Sequence, residues 1–196
     1  MEKESLHQKV LHIKNMVCPR CIKVVRDEME NLGLRVIGVE LGRTIIEEQD
    51  GKIDENAIEA ALVRNGFELL HNKREELVEQ VKLKVIDLVY NDKLPHLKTT
   101  VSTYLAKTLS KDYSTISTAF KISEAMDLNR YVVLQKIERA KELLAYKELS
   151  LSEIAIRLGY RSLQHLSNQF KEVTGTTLNK YKRQGGADRQ SIDNLY

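Results

Sequence analysis

A pair of thiols stands near the start of the chain, in Cys18-Pro19-Arg20-Cys21. Two thiols three positions apart, where a strand pattern gives way to a helix pattern, can both point at one ion. A helix N-terminus carries partial positive charge, which favours the thiolate that a metal or an oxidant requires. Two soft sulfurs with no histidine close in sequence suit a low-coordinate soft ion such as Cu(I). Tetrahedral zinc wants four ligands, and the chain's 2 cysteines exclude a four-cysteine site within one copy. A dithiol–disulfide switch is a second reading of the same pair, and a purely structural or vestigial pair is a third. A thioredoxin-like oxidoreductase also uses Cys-Pro-x-Cys. That fold needs another proline facing the thiols, and Pro95 lies outside this segment.

A second group lies near the other end. Gln164, His165, Asn168 and Gln169 share the polar side of a helix pattern whose apolar side is Leu166, Phe170 and Val173. Side-chain amides can hydrogen-bond adenine edges in a major groove. Arg161 and Lys171 stand where they can hold phosphates, and His165 is a further candidate for that contact. Ser162 stands at the head of this helix pattern as its cap. His7, His12, His71 and His96 are scattered without ligand spacing. No Ser/His/Asp setting, phosphate-cradling glycine loop or paired-acid motif is visible, so the chain is not expected to be an enzyme.

The elements that position the thiols alternate in period. Val10 to Lys14 reads as a strand, and Ile22, Val25, Met29 and Leu32 recur at helical spacing before Gly33. Val36 to Leu41 and Thr44 to Glu48 alternate around Gly42-Arg43, a tight-turn signal. Asp54 reads as the N-cap of a helix with Ile58, Ala61 and Leu62, ended by Asn65-Gly66. Phe67 to Leu70 is a last short strand. The order β-α-β-β-α-β is that of a ferredoxin-like domain. One long helix follows from residue 73 to about 91, with Val78, Val81, Val85 and Leu88 on one stripe. It reads as a linker packed on its neighbours, with a dimerisation helix as the alternative. Leu94-Pro95 breaks the pattern. Everything after it reads as helical to about Arg183, and Gln184 to Tyr196 as a polar, disordered tail. The fold class is therefore α+β. It comprises an N-terminal ferredoxin-like domain (6–72), a linker helix (73–92), an all-α domain (93–184) and a tail (185–196).

The chain has 196 residues, 42% hydrophobic and 30% charged, as in an ordinary globular protein. Net charge is +3, unevenly spread, with 14 Lys+Arg against 17 Asp+Glu in residues 1–90 and 17 against 11 in residues 91–196. A basic half beside an acidic one suggests that the basic half meets a polyanion. No apolar run approaches the roughly 18 residues of a membrane span, and Met1 to Ser5 is polar, unlike a secretory leader. A cytoplasmic location is expected. That compartment is reducing, which argues against a structural disulfide.

The C-terminal half resembles itself at an offset of 50 residues. Val101-Ser102 matches Leu151-Ser152, Lys107 matches Arg157, and Ile116-Ser117 matches Leu166-Ser167. Phe120-Lys121 matches Phe170-Lys171, and Leu128-Asn129-Arg130-Tyr131 matches Leu178-Asn179-Lys180-Tyr181. One register without gaps implies two copies of one unit. Each copy has a helix-turn-helix layout. In the second, Ser152 is the expected cap, Leu151, Ile154, Ala155 and Leu158 the core, Gly159 the turn and Ser162 the next cap. In the first, Tyr113, Ile116 and Phe120 face inward, and Ser114, Ser117 and Thr118 face out beside Lys121. Between them a helix carries Val133, Ile137, Ala140 and Leu144 on one face. A rigid helix there would let both recognition helices enter successive grooves on one side of DNA.

The run Gln135 to Leu144, then Ser152 to Tyr160, then Phe170-Lys171 and Thr174-Gly175, resembles the DNA-binding domain of AraC-type regulators over residues 96–184. That resemblance implies base-facing positions at Leu163, Gln164, Ser167 and Asn168, and at Ser114, Ser117 and Thr118. The chain departs from it at Leu178, where the family usually has proline, and at Ser110-Lys111, where a turn glycine is expected. The first recognition helix also lacks an arginine. The first unit is thus expected to position more than to read bases.

Residues 8–71 resemble a heavy-metal-associated domain. Asn15-Met16-Val17-Cys18-Pro19-Arg20-Cys21 stands for its G-M-x-C-x-x-C loop, and Gly66-Phe67 for its Gly-aromatic pair. Asn15 replaces the glycine, and Pro19-Arg20 departs between the cysteines. The resemblance implies Cys18 and Cys21 as metal ligands and Met16 as a buried anchor. Together the two halves suggest a metal-responsive transcription regulator with duplex DNA as its partner. A homodimer, through the linker helix or the N-terminal domain, would be a second partner. The competing expectation is a metal-trafficking or thiol redox-sensing protein whose helical half docks a protein.

Overall fold

The computed structural model describes residues 7–48 and 54–183. The chain divides into two compact units, Met1–Leu83 and Lys84–Tyr196. The first unit runs β1 (His7–Lys14), α1 (Pro19–Asn31), β2 (Arg35–Glu40), β3 (Arg43–Glu48), α2 (Glu55–Arg64) and β4 (Glu68–Leu70). Among the described residues the strands form one sheet in the order β2-β3-β1-β4. Every neighbouring pair is antiparallel, with Val10 opposite Ile45 and His12 opposite Leu70.

Period-two alternation sends Leu11 and Ile13 of β1 and Ile46 of β3 into the core, where they meet Val25 and Met29 of α1 and Ile58 and Leu62 of α2. Asp54 caps α2 as expected, its carboxylate accepting the Ala57 N–H at 3.2 Å. The apolar stripe of α1 stops one turn short of its expected end. Leu32 is the C-cap and is 37% exposed. The chain has already left the helix there, and the Leu34 N–H folds back onto the Met29 carbonyl at 3.1 Å. Gly42, in the β2–β3 turn, has φ +82° and lies so near Leu83 that a Cβ would sit 2.6 Å from its methyl carbon.

Helix α3 (Lys73–Tyr90) begins under an Asn72 cap, whose side chain accepts the Glu75 N–H at 2.9 Å. The boundary between the two units falls within it. Val78, Val81, Val85, Leu88 and Val89 are all buried in the single chain. Glu79 and Lys82 are buried beside them.

The second unit contains a 3-10 turn (Leu94–His96), α4 (Val101–Leu109), α5 (Tyr113–Glu124), α6 (Leu128–Tyr146), α7 (Leu151–Arg157), α8 (Leu163–Thr174) and α9 (Leu178–Arg183). The 50-residue register reappears in its caps. Thr100 accepts the Thr103 N–H at 3.1 Å, and Ser150 accepts the Glu153 N–H at 3.3 Å. Ser152, the expected cap, lies inside α7. Glu153 also takes the Ser150 N–H at 2.7 Å, and this reciprocal capping box fixes the start two residues earlier.

The cores repeat as well. Phe120 packs on Tyr131 with ring centroids 5.1 Å apart, and Phe170 on Tyr181 at 5.4 Å. Ile116, Phe120, Leu166 and Phe170 are fully buried. Tyr113, Val133, Leu151 and Val173, expected in the core, are only half-buried because they sit at the edge of their helical stripes. Ile137, Ala140 and Leu144 of α6 are buried as expected. Among the described residues no helix is long and apolar enough to cross a membrane. The tail expected from Gln184 to Tyr196 lies outside the described residues.

Candidate functional site

The second helix-turn-helix is built around Gly159. Its φ of +67° is cheap only without a Cβ, and an added Cβ would meet the Leu94 Cβ at 3.2 Å. Arg161 is exposed in the turn. Ser162 then caps α8, accepting the His165 N–H at 3.2 Å. With Leu166 and Phe170 buried, Gln164, His165, Asn168 and Lys171 are exposed, while Leu163, Ser167 and Gln169 are half-buried. The Gln164 amide N–H donates to the Asn168 side-chain oxygen at 2.7 Å, so the two amides form one polar strip. The His165 ring stands edge-on to Tyr160 at 5.2 Å between centroids. On that same tyrosine lies the Lys136 ammonium, 4.9 Å from the ring centroid. Burial lowers the Lys136 pKa.

The first unit offers less. Its second helix, α5, has Asp112 at the N-cap position with no side-chain cap. Ser114, Thr118 and Lys121 are exposed and Ser117 is half-buried. Lys121 is drawn to Asp127 at 3.1 Å. The missing turn glycine is answered by Ser110, which takes the left-handed conformation itself at φ +51°. At the far end of the helix Ala125 does the same where Gly175 stands in the other copy, at φ +51° and +71° respectively.

The thiol pair is positioned by β1 and α1. Met16 is fully buried beneath the loop, as its resemblance implied. Asn15 takes the left-handed conformation, φ +70°, that a glycine would adopt there, and asparagine tolerates it better than most residues. Its side chain donates to the Gly66 carbonyl at 3.0 Å, tying the loop to the turn before β4. Cys18 is the N-cap of α1, Pro19 follows at the position where a missing N–H costs nothing, and the Cys21 N–H reaches the Cys18 carbonyl at 3.0 Å.

Both thiols are half-buried, with their sulfurs 3.4 Å apart. The backbone N–H of Cys21 lowers the Cys18 pKa, the largest of several causes. Burial, reinforced by the neighbouring Cys18 sulfur, raises that of Cys21. The two neighbouring thiols are thus shifted in opposite directions. Among the described residues no group of three or more His, Cys, Asp or Glu gathers. The donor set is two soft sulfurs, which fits a low-coordinate soft ion and does not fit a closed four-ligand zinc site.

Two contacts and one buried polar residue had no clear signal in the sequence. Glu79 of α3, 6% exposed, accepts the Asn15 N–H at 3.0 Å. Asp92, just past α3, takes two hydrogen bonds from the Arg157 guanidinium. Gln135 is fully buried in α6. Nothing in the spacing of these residues marks them in the sequence.

Residues 105–184 match the family model of a helix-turn-helix domain. Among solved structures, the C-terminal domain of AraT, a response regulator from Geobacillus stearothermophilus, matches at 22% identity and TM-score 0.50, covering 61% of this chain and 92% of that one. The C-terminal domain of the two-component response regulator yesN from Fusobacterium nucleatum matches at 22% identity and TM-score 0.45, over 57% of this chain and 99% of that one. The DNA-binding domain of AdpA, a global transcriptional factor solved with a target DNA, matches at 22% identity and TM-score 0.44, over 53% and 90% respectively. No curated protein matches the chain. The helical half thus has a helix-turn-helix fold.

Proposed function

We propose that this chain is a DNA-binding transcription regulator of AraC type whose N-terminal unit senses a soft metal ion such as Cu(I). The observation that carries the DNA-binding part is α8. A glycine turn presents a capped helix whose exposed side holds two linked amides flanked by Arg161 and Lys171. Gln164 and Asn168 would meet base edges, with Leu163 and Ser167 beside them. Arg161, Lys171 and, more weakly, His165 would meet phosphates. In the first unit Ser114, Ser117 and Thr118 would line the groove, with Lys121 near the backbone. Two recognition helices in one chain let a monomer contact successive groove faces, so DNA binding requires no dimer.

The sensing part rests on the β2-β3-β1-β4 order, which fits a ferredoxin-like, heavy-metal-associated domain, and on the paired sulfurs of Cys18 and Cys21. Cys18 and Cys21 would hold the ion, and the ion would withdraw both thiols from protonation and oxidation. Sensing requires that the ion bind two states of the protein unequally.

The test is DNA binding by the full chain, with and without Cu(I), Zn(II) and a disulfide oxidant, across a salt series. Sequence preference with a steep salt slope is expected; a flat slope without preference removes the regulator reading. Cu(I) affinity measured against a competing chelator should fall in Cys18→Ser and Cys21→Ser. Equal affinity in wild type and both variants removes the sensor reading. A response to oxidant alone would transfer the input to the dithiol–disulfide couple.

A further inference from the structure

Helix α3 is gripped near its start and beyond its end. On its first half, the Glu79 carboxylate accepts the backbone N–H of Asn15 at 3.0 Å. Asn15 is the left-handed residue that opens the cysteine loop, and its side chain is already committed to Gly66. Any change in the loop's path at Asn15 therefore changes what Glu79 can hold. Glu79 is buried, so it cannot exchange the loop for water at little cost.

The grip beyond the far end lies in the second unit. Tyr90, the last residue of α3, lies under the Arg139 guanidinium, 5.4 Å from its ring centroid. Asp92, at φ +55°, is clasped by Arg157, the last residue of α7, through two hydrogen bonds. Lys93 returns to Asp87 of α3 at 2.7 and 2.8 Å. Leu94 then seats on Gly159, the turn residue that launches α8. The segment leaving α3 is thus built into the turn that sets the pose of the second recognition helix.

We propose that α3 is the coupling element between the thiol loop and the second helix-turn-helix, with Glu79 reading the loop and Asp92 delivering the change to the turn. This rests on the sensor reading above and deepens it. Neither residue is among the proposed metal ligands or DNA contacts, so both would act as positioning residues. Reciprocal coupling between two sites is measured as a ratio of affinities, typically about 5–150-fold.

The experiment measures the DNA affinity of the full chain with and without saturating Cu(I), together with Cu(I) affinity, in wild type, Glu79→Leu, Glu79→Gln and Asp92→Ala. Wild type is expected to show a Cu(I)-dependent ratio clearly different from one. Glu79→Leu removes the acceptor and should bring the ratio close to one while Cu(I) affinity and metal-free DNA affinity stay close to wild type. Glu79→Gln keeps an acceptor oxygen and should restore the ratio, which a merely structural role would not require. Asp92→Ala, outside the α3 core, should also abolish the ratio, and it keeps the proposal open to refutation should Glu79→Leu fail to fold. An unchanged ratio in Glu79→Leu, or in Asp92→Ala where only that variant folds, overturns the coupling role and leaves the sensor reading standing. A wild-type ratio of one overturns both.

Discussion

The two helix-turn-helix units share a register and a core but not a surface. Thr100 and Ser150 cap the first helix of each, and the Phe120–Tyr131 pair is matched by Phe170–Tyr181. Outside the core the copies diverge. α8 has a side-chain cap, linked amides and exposed Arg161 and Lys171, whereas α5 has hydroxyls and a lysine held by Asp127. Packing dictates the first set of positions, since each fills a buried volume that tolerates little change. Nothing in the fold dictates the second set, which leaves it free to follow a ligand.

The largest test strikes the shared core. Phe120→Ala and Phe170→Ala should each cost about 3–5 kcal/mol of stability, read by urea denaturation of the full chain. A cost below about 1 kcal/mol at either site would break the equivalence of the two cores.

Base reading is the next largest effect and should separate the units. Gln164→Ala and Asn168→Ala are each expected to cost about 1–3 kcal/mol in discrimination, read by selection from randomised duplexes. Ser117→Ala and Thr118→Ala should change the preferred sequence much less. The reverse order would make α5 the reader. Phosphate contacts come third, where Lys171→Gln should reduce the slope of log affinity against log salt by about 1. Lys121→Gln should reduce it less, because its ammonium already faces Asp127.

The smallest effect is a pH dependence confined to the second unit. Hydrogen bonds from Arg157 hold the Asp92 carboxyl below its ordinary value. A lowered folded-state pKa stabilises the protein above the unfolded carboxylate pKa of about 3.9 and is lost as pH falls through the folded value. Both side chains are 37% exposed, so solvent screens the pair and the contribution is small. Asp92→Asn should flatten the acid limb of the stability curve below about pH 4. An unaltered acid limb would show that the clasp adds no stability.

Most of the fold was legible in the sequence because it rests on period and repetition. Leu11 and Ile13 alternate, Ile116 and Phe120 recur at helical spacing, and the 50-residue offset exposes the duplication. The candidate surface on α8 was legible for the same reason, since an apolar face defines its opposite. What escaped was local competition between side chains and long-range polar contact. Ser150 wins the cap from Ser152 only because Glu153 returns the bond. Asn15 and Ser110 occupy conformations usually left to glycine, and side-chain type alone does not say which non-glycine residue will be placed there. Glu79 and Asp92 find partners 64 and 65 residues away, and no spacing rule announces such a pair.

Ser110 and Ala125 bracket α5, and each holds a left-handed turn with a Cβ. That conformation costs roughly 1–2 kcal/mol at such a residue, whereas Gly159 and Gly175 carry the corresponding ends of the second unit free of it. The consequence is a sequence of events in time. Under native conditions α5 should open ahead of α8, and its amide protons should exchange with deuterium first. A duplicated motif would then have one half that breathes and one that stays shut, with glycine marking the half that stays shut.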